Sequence, residues 1–213
     1  MMQKTRMFPH VVLYKRSSNR DVIDRDMNRW VEIYRPEKIG DSPINKLAWL
    51  LEAHPEFVNL FYARIGRYSG IVGRMLVYLA KKTYQPLLET LRFAEPINSI
   101  GPGFFARVGF GAVVAAEKIG ENCWINPGTT LGYRDEGSGL PVIGDNVYIG
   151  AGAKILGSVI VGDNVIVGAN AVVTKNVPPN CTVAGVPARI IRRDGVRVKE
   201  ALHASHPPAE AGT

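Results

Sequence analysis

The sequence predicts a mainly-β fold, a parallel coil of short strands with a helical N-terminal segment and a short C-terminal tail. Three observations carry that reading. Aliphatic residues recur every six positions from about Ile97 onward, glycine and asparagine recur at fixed places within the hexads, and the helical period of residues 20 to 93 stops where the hexads begin.

Four segments follow in order: an N-terminal arm over 1–19, a helical region over 20–94, the repeat over 95–192 and a tail over 193–213. In "DVIDRDMNRWVEIYRPE" the apolar residues Val22, Ile23, Met27, Trp30, Val31 and Tyr34 keep the spacing of an amphipathic helix, and Pro36 ends it. Ser42 is a candidate N-cap with Pro43 at the first helical position, leading into "INKLAWLLEA". Pro55 restarts a helix that Gly70 stops, and "IVGRMLVYLAKKTYQPLLETLRF" completes the helical part.

Hexads begin at 100, 106, 112, 119, 125 and 131 and, after a polar interruption, at 143, 149, 155, 161, 167 and 173. Each begins with an aliphatic residue or alanine. The fifth place holds Cys123, Thr129, Val147, Ala153, Val159, Val165 or Ala171. First and fifth side chains are expected to point inward. The second place favours glycine because a corner needs unusual backbone angles, and Asn122, Asn146 and Asn164 tolerate the left-handed region at corners. Three units close a triangular coil and coils stack at strand spacing, about 4.8 Å, so twelve windows make four coils. One extra residue falls between Ala112 and Ile119. "YRDEGSGLP", 133–141, falls at the boundary between the second and third coils and reads as a loop leaving the prism at a corner, a common place for function.

Composition excludes several classes. The net charge of +7 is spread among acids rather than striped, which argues against nucleic acid. Cys123 and Cys181 lack metal-ligand spacing and histidine neighbours, so no metal site and no disulfide is expected, and both read as free thiols of a reducing compartment. The N-terminus lacks an apolar run, and "IVGRMLVYLA" is interrupted by Arg74 and too short to span a bilayer. A cytoplasmic location without a transmembrane segment follows as an expectation.

The strings "IGAGAKILG" and "AGVPARII", with the hexads covering roughly 97 to 192, resemble the hexapeptide-repeat acyltransferases, most closely their serine acetyltransferase branch. The resemblance implies a left-handed β-helix, an exception to the right-handed crossover rule. It also implies assembly as a homotrimer with acetyl-CoA in the groove between neighbouring prisms. The CoA arm would lie along the backbone at Gly132, Ala151, Gly152, Gly168 and Ala169, with Lys154, Arg189, Arg192 and Arg193 near its phosphates. The same small residues also suit corners and packing, and the same cations suit a solvated surface.

That branch places an Asp-His pair before a "TGxVV"-like turn and a second histidine before the proline that follows the loop. Here Arg107 and Val108 stand at the pair and Leu140 at the second position. There is no histidine between 55 and 202, and His10, His54, His203 and His206 are expected at the surface. A placed base contributes about 10² to 10⁴ in rate. Either a loop carboxylate, Asp135 or Glu136, substitutes, or the acceptor brings its own base, or the chemistry is lost. Arg107 would repel an ammonium, which disfavours free serine and suits an anionic sugar or a phosphate-bearing acceptor. The expectation is an acetyl-CoA-dependent O-acetyltransferase acting on a sugar or polysaccharide hydroxyl. A catalytically silent trimeric scaffold and a serine O-acetyltransferase with a rebuilt site are the alternatives.

Overall fold

Short hexads can form only short strands, because every sixth residue must turn a corner. In the computed structural model, which describes residues 2–65, 71–85, 91–93, 100–107 and 111–202, most strands of the repeat are two or three residues long. Five helices come first: α1 (Met2–Arg16), α2 (Arg20–Tyr34), α3 (Pro43–Ala53), α4 (Pro55–Ile65) and α5 (Ile71–Thr83). The strands are β1 (Leu91–Phe93), β2 (Phe105–Ala106), β3 (Ala112–Val114), β4 (Lys118–Ile119), β5 (Trp124–Ile125), β6 (Thr130–Gly132), β7 (Val142–Ile143), β8 (Tyr148–Ile149), β9 (Lys154–Leu156), β10 (Ile160–Val161), β11 (Ile166–Val167), β12 (Val172–Val173), β13 (Cys181–Ala184), β14 (Arg189–Arg193) and β15 (Val196–Ala201).

Successive strands go to successive faces of a three-sided prism. The first face stacks β1-β3-β6-β9-β12, the second β4-β7-β10 and the third β2-β5-β8-β11-β13, all parallel. Aliphatic residues at the first place of each hexad, from Ile119 through Ile143 and Ile155 to Val173, fill the prism, and the fifth-place residues are buried with them. Asn122, Asn146 and Asn164 hold positive φ of 56°, 56° and 58° at one column of corners. There the carboxylates of Asp145 and Asp163 each accept an amide one coil away, from Glu121 and from Asp145, both at 2.7 Å.

The frame departs from expectation at one place. Val114, not Ala112, is in register with Leu131. Ala106 pairs with Ile125 and Ile100 with Ile119, so the extra length falls in the sequence between β2 and β3 and not between β3 and β4. Pairing settles what sequence spacing left ambiguous, because "AVV" offers two residues that can face inward.

Three segment readings also change. The expected arm is mostly helix α1, which packs its buried Leu13 and Tyr14 into the core, and residues 91–93 are strand β1 on the first face rather than helix. The expected tail begins inside β14, which with β15 forms an antiparallel extension of the third face, and residues 203–213 lie outside the described residues. The helices dock on the first coil through Trp30, whose Nε1 donates to the Phe104 carbonyl at 2.9 Å and whose ring lies 4.7 Å from Phe105. Below it Asp26 accepts from Arg64 Nε at 2.8 Å and from the amides of Gly103 and Phe104 at 2.7 and 3.1 Å.

Two histidines expected at the surface are buried instead, His10 at 0% and His54 at 8% exposure, because helices from distant parts of the chain close over them. Burial pushes the His10 imidazole down to about 4. Its folded value lies below its ordinary 6.5, so as pH falls the unfolded chain takes the proton first. The associated stability is complete above about 6.5 and is lost toward pH 4, by up to about 3 kcal/mol. His10→Gln is expected to flatten the loss of thermal stability between about pH 7 and pH 4, and an unchanged slope would contradict this.

Candidate active site

The two edges of the first face carry the residues singled out in the sequence, and they divide them. One edge joins the third face to the first. Arg107 begins its first corner, with its backbone N–H donating to the Ile125 carbonyl at 3.0 Å and its side chain exposed. Further down the same edge Ala151 and Ala169 are exposed beside Gly152 and Asn170. Val108, where the missing histidine belongs, lies outside the described residues; Leu140, at the second such position, is half-buried.

The opposite edge joins the first face to the second and carries Gly132, the 133–141 loop and Gly157. As expected, the loop leaves the prism between β6 and β7. Ser138 pins it: its hydroxyl accepts from the amides of Arg134 and Asp135 at 2.8 and 3.1 Å, and the Gly139 N–H donates to Ser158 Oγ at 2.8 Å. The Asp135 carboxylate, half exposed, accepts from Arg134 Nε at 2.7 Å. Glu136 is exposed beside it, and no hydrogen bond or ion pair engages it among the described residues. Residues 134–138 and Leu156–Val159 line a cavity of about 430 Å³ that reaches Thr174. A second cavity, of about 150 Å³, is lined by Thr174, Lys175, Ala188 and Arg189 among others. Asp135 and Glu136 line the first cavity and Arg189 the second, the two having Thr174 in common, while Arg107, Ala151 and Ala169 lie on the other edge.

Three glycines expected to line a CoA arm differ in what they do. A Cβ on Gly152, at φ +71°, would collide with Asn170 Oδ1, and one on Gly168 would press on Ala184 Cβ at 3.1 Å, so the coil itself requires both. A Cβ on Gly132 would meet nothing within 4 Å, so a side chain there would project into open space. Lys154 Nζ donates to the Gly128 carbonyl at 2.6 Å and to Thr130 Oγ1 at 2.9 Å, which holds its charge on the first face rather than at a phosphate. Small exposed residues and open backbone fit a flexible thioester-bearing arm. Gly132→Val is expected to leave the melting temperature within a few degrees and to weaken CoA binding at least about tenfold; unchanged affinity in a binding titration would remove Gly132 from the groove.

One group was missed in the sequence. Tyr34, at the end of α2, stacks on His54 with ring centroids 4.0 Å apart, and its ring is 5.6 Å from Phe105. Burial pushes the Tyr34 phenol up, as does the charge of Glu56, while Arg107 pulls it down. The signal was present in "HPE", 54–56, where a histidine and a glutamate flank the proline that opens α4.

The family model described as bacterial transferase hexapeptide (six repeats) matches residues 141–175. The serine acetyltransferase of Synechococcus elongatus is 44% identical over 170 residues, 76% of this chain and 67% of that protein. The chain belongs to the hexapeptide-repeat acyltransferases, in their serine acetyltransferase-like branch. The serine acetyltransferase of Staphylococcus aureus is 43% identical over 117 residues, and there the match spans 55% of the relative's length. Among solved structures, Neisseria gonorrhoeae serine acetyltransferase in complex with serine aligns at a TM-score of 0.59 and 26% identity, covering 86% of this chain and 73% of that one. A serine acetyltransferase in complex with CoA aligns at 0.52 and 27%, covering 82% and 70%. The fold is the left-handed parallel β-helix of this family with a helical N-terminal part, and membership places the chain among O-acetyltransferases, with acetyl-CoA as co-substrate. No described helix is long and apolar enough to cross a membrane.

Proposed function

We propose that the chain transfers an acetyl group from acetyl-CoA to the hydroxyl of a small amino-acid acceptor of the serine class, through a site rebuilt without histidines in the repeat. The observation that supports it best is the 44% identity to a serine acetyltransferase, which extends well beyond the repeat strands over 170 residues. This reverses the order of preference drawn from Arg107 alone. A guanidinium that repels an ammonium is also a partner for an amino acid's carboxylate.

Bound acetyl-CoA supplies the acetyl thioester. The acceptor oxygen attacks its carbonyl carbon, the hydroxyl proton passes to a base, the carbon–sulfur bond breaks and the thiol leaves with a proton. Glu136 is the better base of the two loop carboxylates, because Asp135 is held by Arg134. Glu136 and Arg107 occupy opposite edges of the first face, so one acceptor touches both only where two copies adjoin, and a homotrimer provides that arrangement. Buried free thiols at Cys123 and Cys181, and a cytosolic donor, support a cytoplasmic setting.

A sugar or polysaccharide hydroxyl is the second reading. It is favoured by the paired rings of Trp124 and Tyr148 on the third face, with centroids 5.7 Å apart, Trp124 half-buried and Tyr148 exposed, a platform on which a sugar ring can lie. CoA release followed with a thiol reagent, over L-serine, neutral sugars and uronic or sialic acids, decides. Release with L-serine is the expected result. Release with sugars alone overturns it in favour of the second reading, and release with none identifies a silent scaffold.

A further inference from the structure

A polar cluster lies outside the repeat, where α2 ends and α3 hands over to α4. The backbone there is fixed: the His54 carbonyl accepts from the amides of Phe57 and Val58 at 3.0 and 3.2 Å. Pro55 opens α4, and Glu56 sits in its first turn, where the positive end of the helix favours a carboxylate. His54 lies nearly parallel to Tyr34, at 24°, with Trp49 edge-on at 4.7 Å and Trp30 at 5.9 Å.

His54 and Glu56 are more than nine-tenths buried, at 8% and 3% exposure. Both ring nitrogens of His54, Oε2 of Glu56 and the hydroxyl of Tyr34 nevertheless have no hydrogen-bond partner among the described residues. Buried polar atoms without partners cost stability, and four in one cluster call for a reason. The nearby Trp30 Nε1, by contrast, is satisfied by a carbonyl. The four atoms share a chemistry. A buried carboxylate two residues from a histidine packed among aromatic rings selects an organic ammonium. The imidazole, which burial holds below its usual range and so keeps neutral, and the phenol serve the ligand's remaining donors and acceptors. The Tyr34 ring lies 5.6 Å from that of Phe105, and Arg107 is the cation two residues further on, just past β2.

We propose that Tyr34, His54 and Glu56 form a binding site for the ammonium end of an α-amino acid whose carboxylate pairs with Arg107. This rests on the reading of the acceptor as a serine-class amino acid. It also supplies the anion that Arg107 displaced from the repeat, by moving it to α4. Glu56 is a positioning group here and takes no proton from the reacting hydroxyl.

Calorimetric titration of the full chain with L-serine and with N-acetyl-L-serine, which lacks the ammonium, tests it. L-serine is expected to bind, N-acetyl-L-serine at least tenfold more weakly, and Glu56→Gln to weaken L-serine at least tenfold while CoA affinity stays unchanged. The chain has four histidines, so the ring resonance of His54 can be followed in the unsubstituted protein, and it is expected to shift as L-serine is added. No L-serine binding, equal affinity for the two ligands, equal affinity in Glu56→Gln, or a His54 resonance that does not move at saturation each overturns the site. If Glu56→Gln does not fold, the ligand pair and the resonance decide alone. L-serine bound here without CoA release would sink the proposed function and leave the site standing. Turnover of L-serine by Glu56→Gln at unchanged KM would do the reverse.

Discussion

Asp26→Ala is expected to destabilise the chain by about 3–5 kcal/mol, because it leaves the guanidinium of Arg64 buried without its counter-charge. Both side chains are nearly inaccessible, at 1% and 3% exposure. The carboxylate also accepts from the amides of Gly103 and Phe104, while Arg64 donates to the carbonyls of Ile100 and Gly101. One ion pair therefore ties α2 and α4 to the first corner of the prism, and its loss strands two backbone amides as well. Urea unfolding of the variant reads the effect directly. Removing both charges with Asp26→Leu and Arg64→Met should cost less than Asp26→Ala alone, since no uncompensated ion remains. A single-variant loss below about 1 kcal/mol would mean that water reaches the pair.

Glu136→Gln is expected to lower kcat by about 10² or more, the scale of removing a positioned base, and Asp135→Asn by less. The difference follows from Arg134, which occupies the Asp135 carboxylate at 2.7 Å. Ser138 pins the loop backbone independently of either carboxylate, so neither substitution should alter stability measurably. Turnover unchanged in both variants excludes the loop as the source of the base. A larger loss in Asp135→Asn would mean that the ion pair opens when the acceptor binds.

The repeat was legible because its information is local. Every sixth residue must be small or aliphatic to fill a narrow prism, and the corners demand glycine or asparagine, so Ile119, Ile143, Ile155 and Asn146 announce themselves without knowledge of any partner. The loop at 133–141 was legible for the same reason, as the place where the pattern lapses. The absence of histidine from the repeat was equally plain, and it directed attention to Asp135, Glu136 and Arg107.

What the sequence by itself determined, then, was the coil, its corners, its loop and the loss of the family's base. Only the tertiary structure decided that Val114 and not Ala112 takes the first place of its hexad, since both are buried and the choice depends on the pairing of β3 with β6. It alone put Asp135 and Arg107 on opposite edges of one face, and it alone buried His54 and Glu56 beside Tyr34. Those positions come from helices docking on a coil distant in the chain, through Trp30, 74 residues from its partner, and Arg64, 36 residues from its partner. A single sequence shows hydrophobic period along the chain, whereas burial of a polar side chain is set by what packs across it.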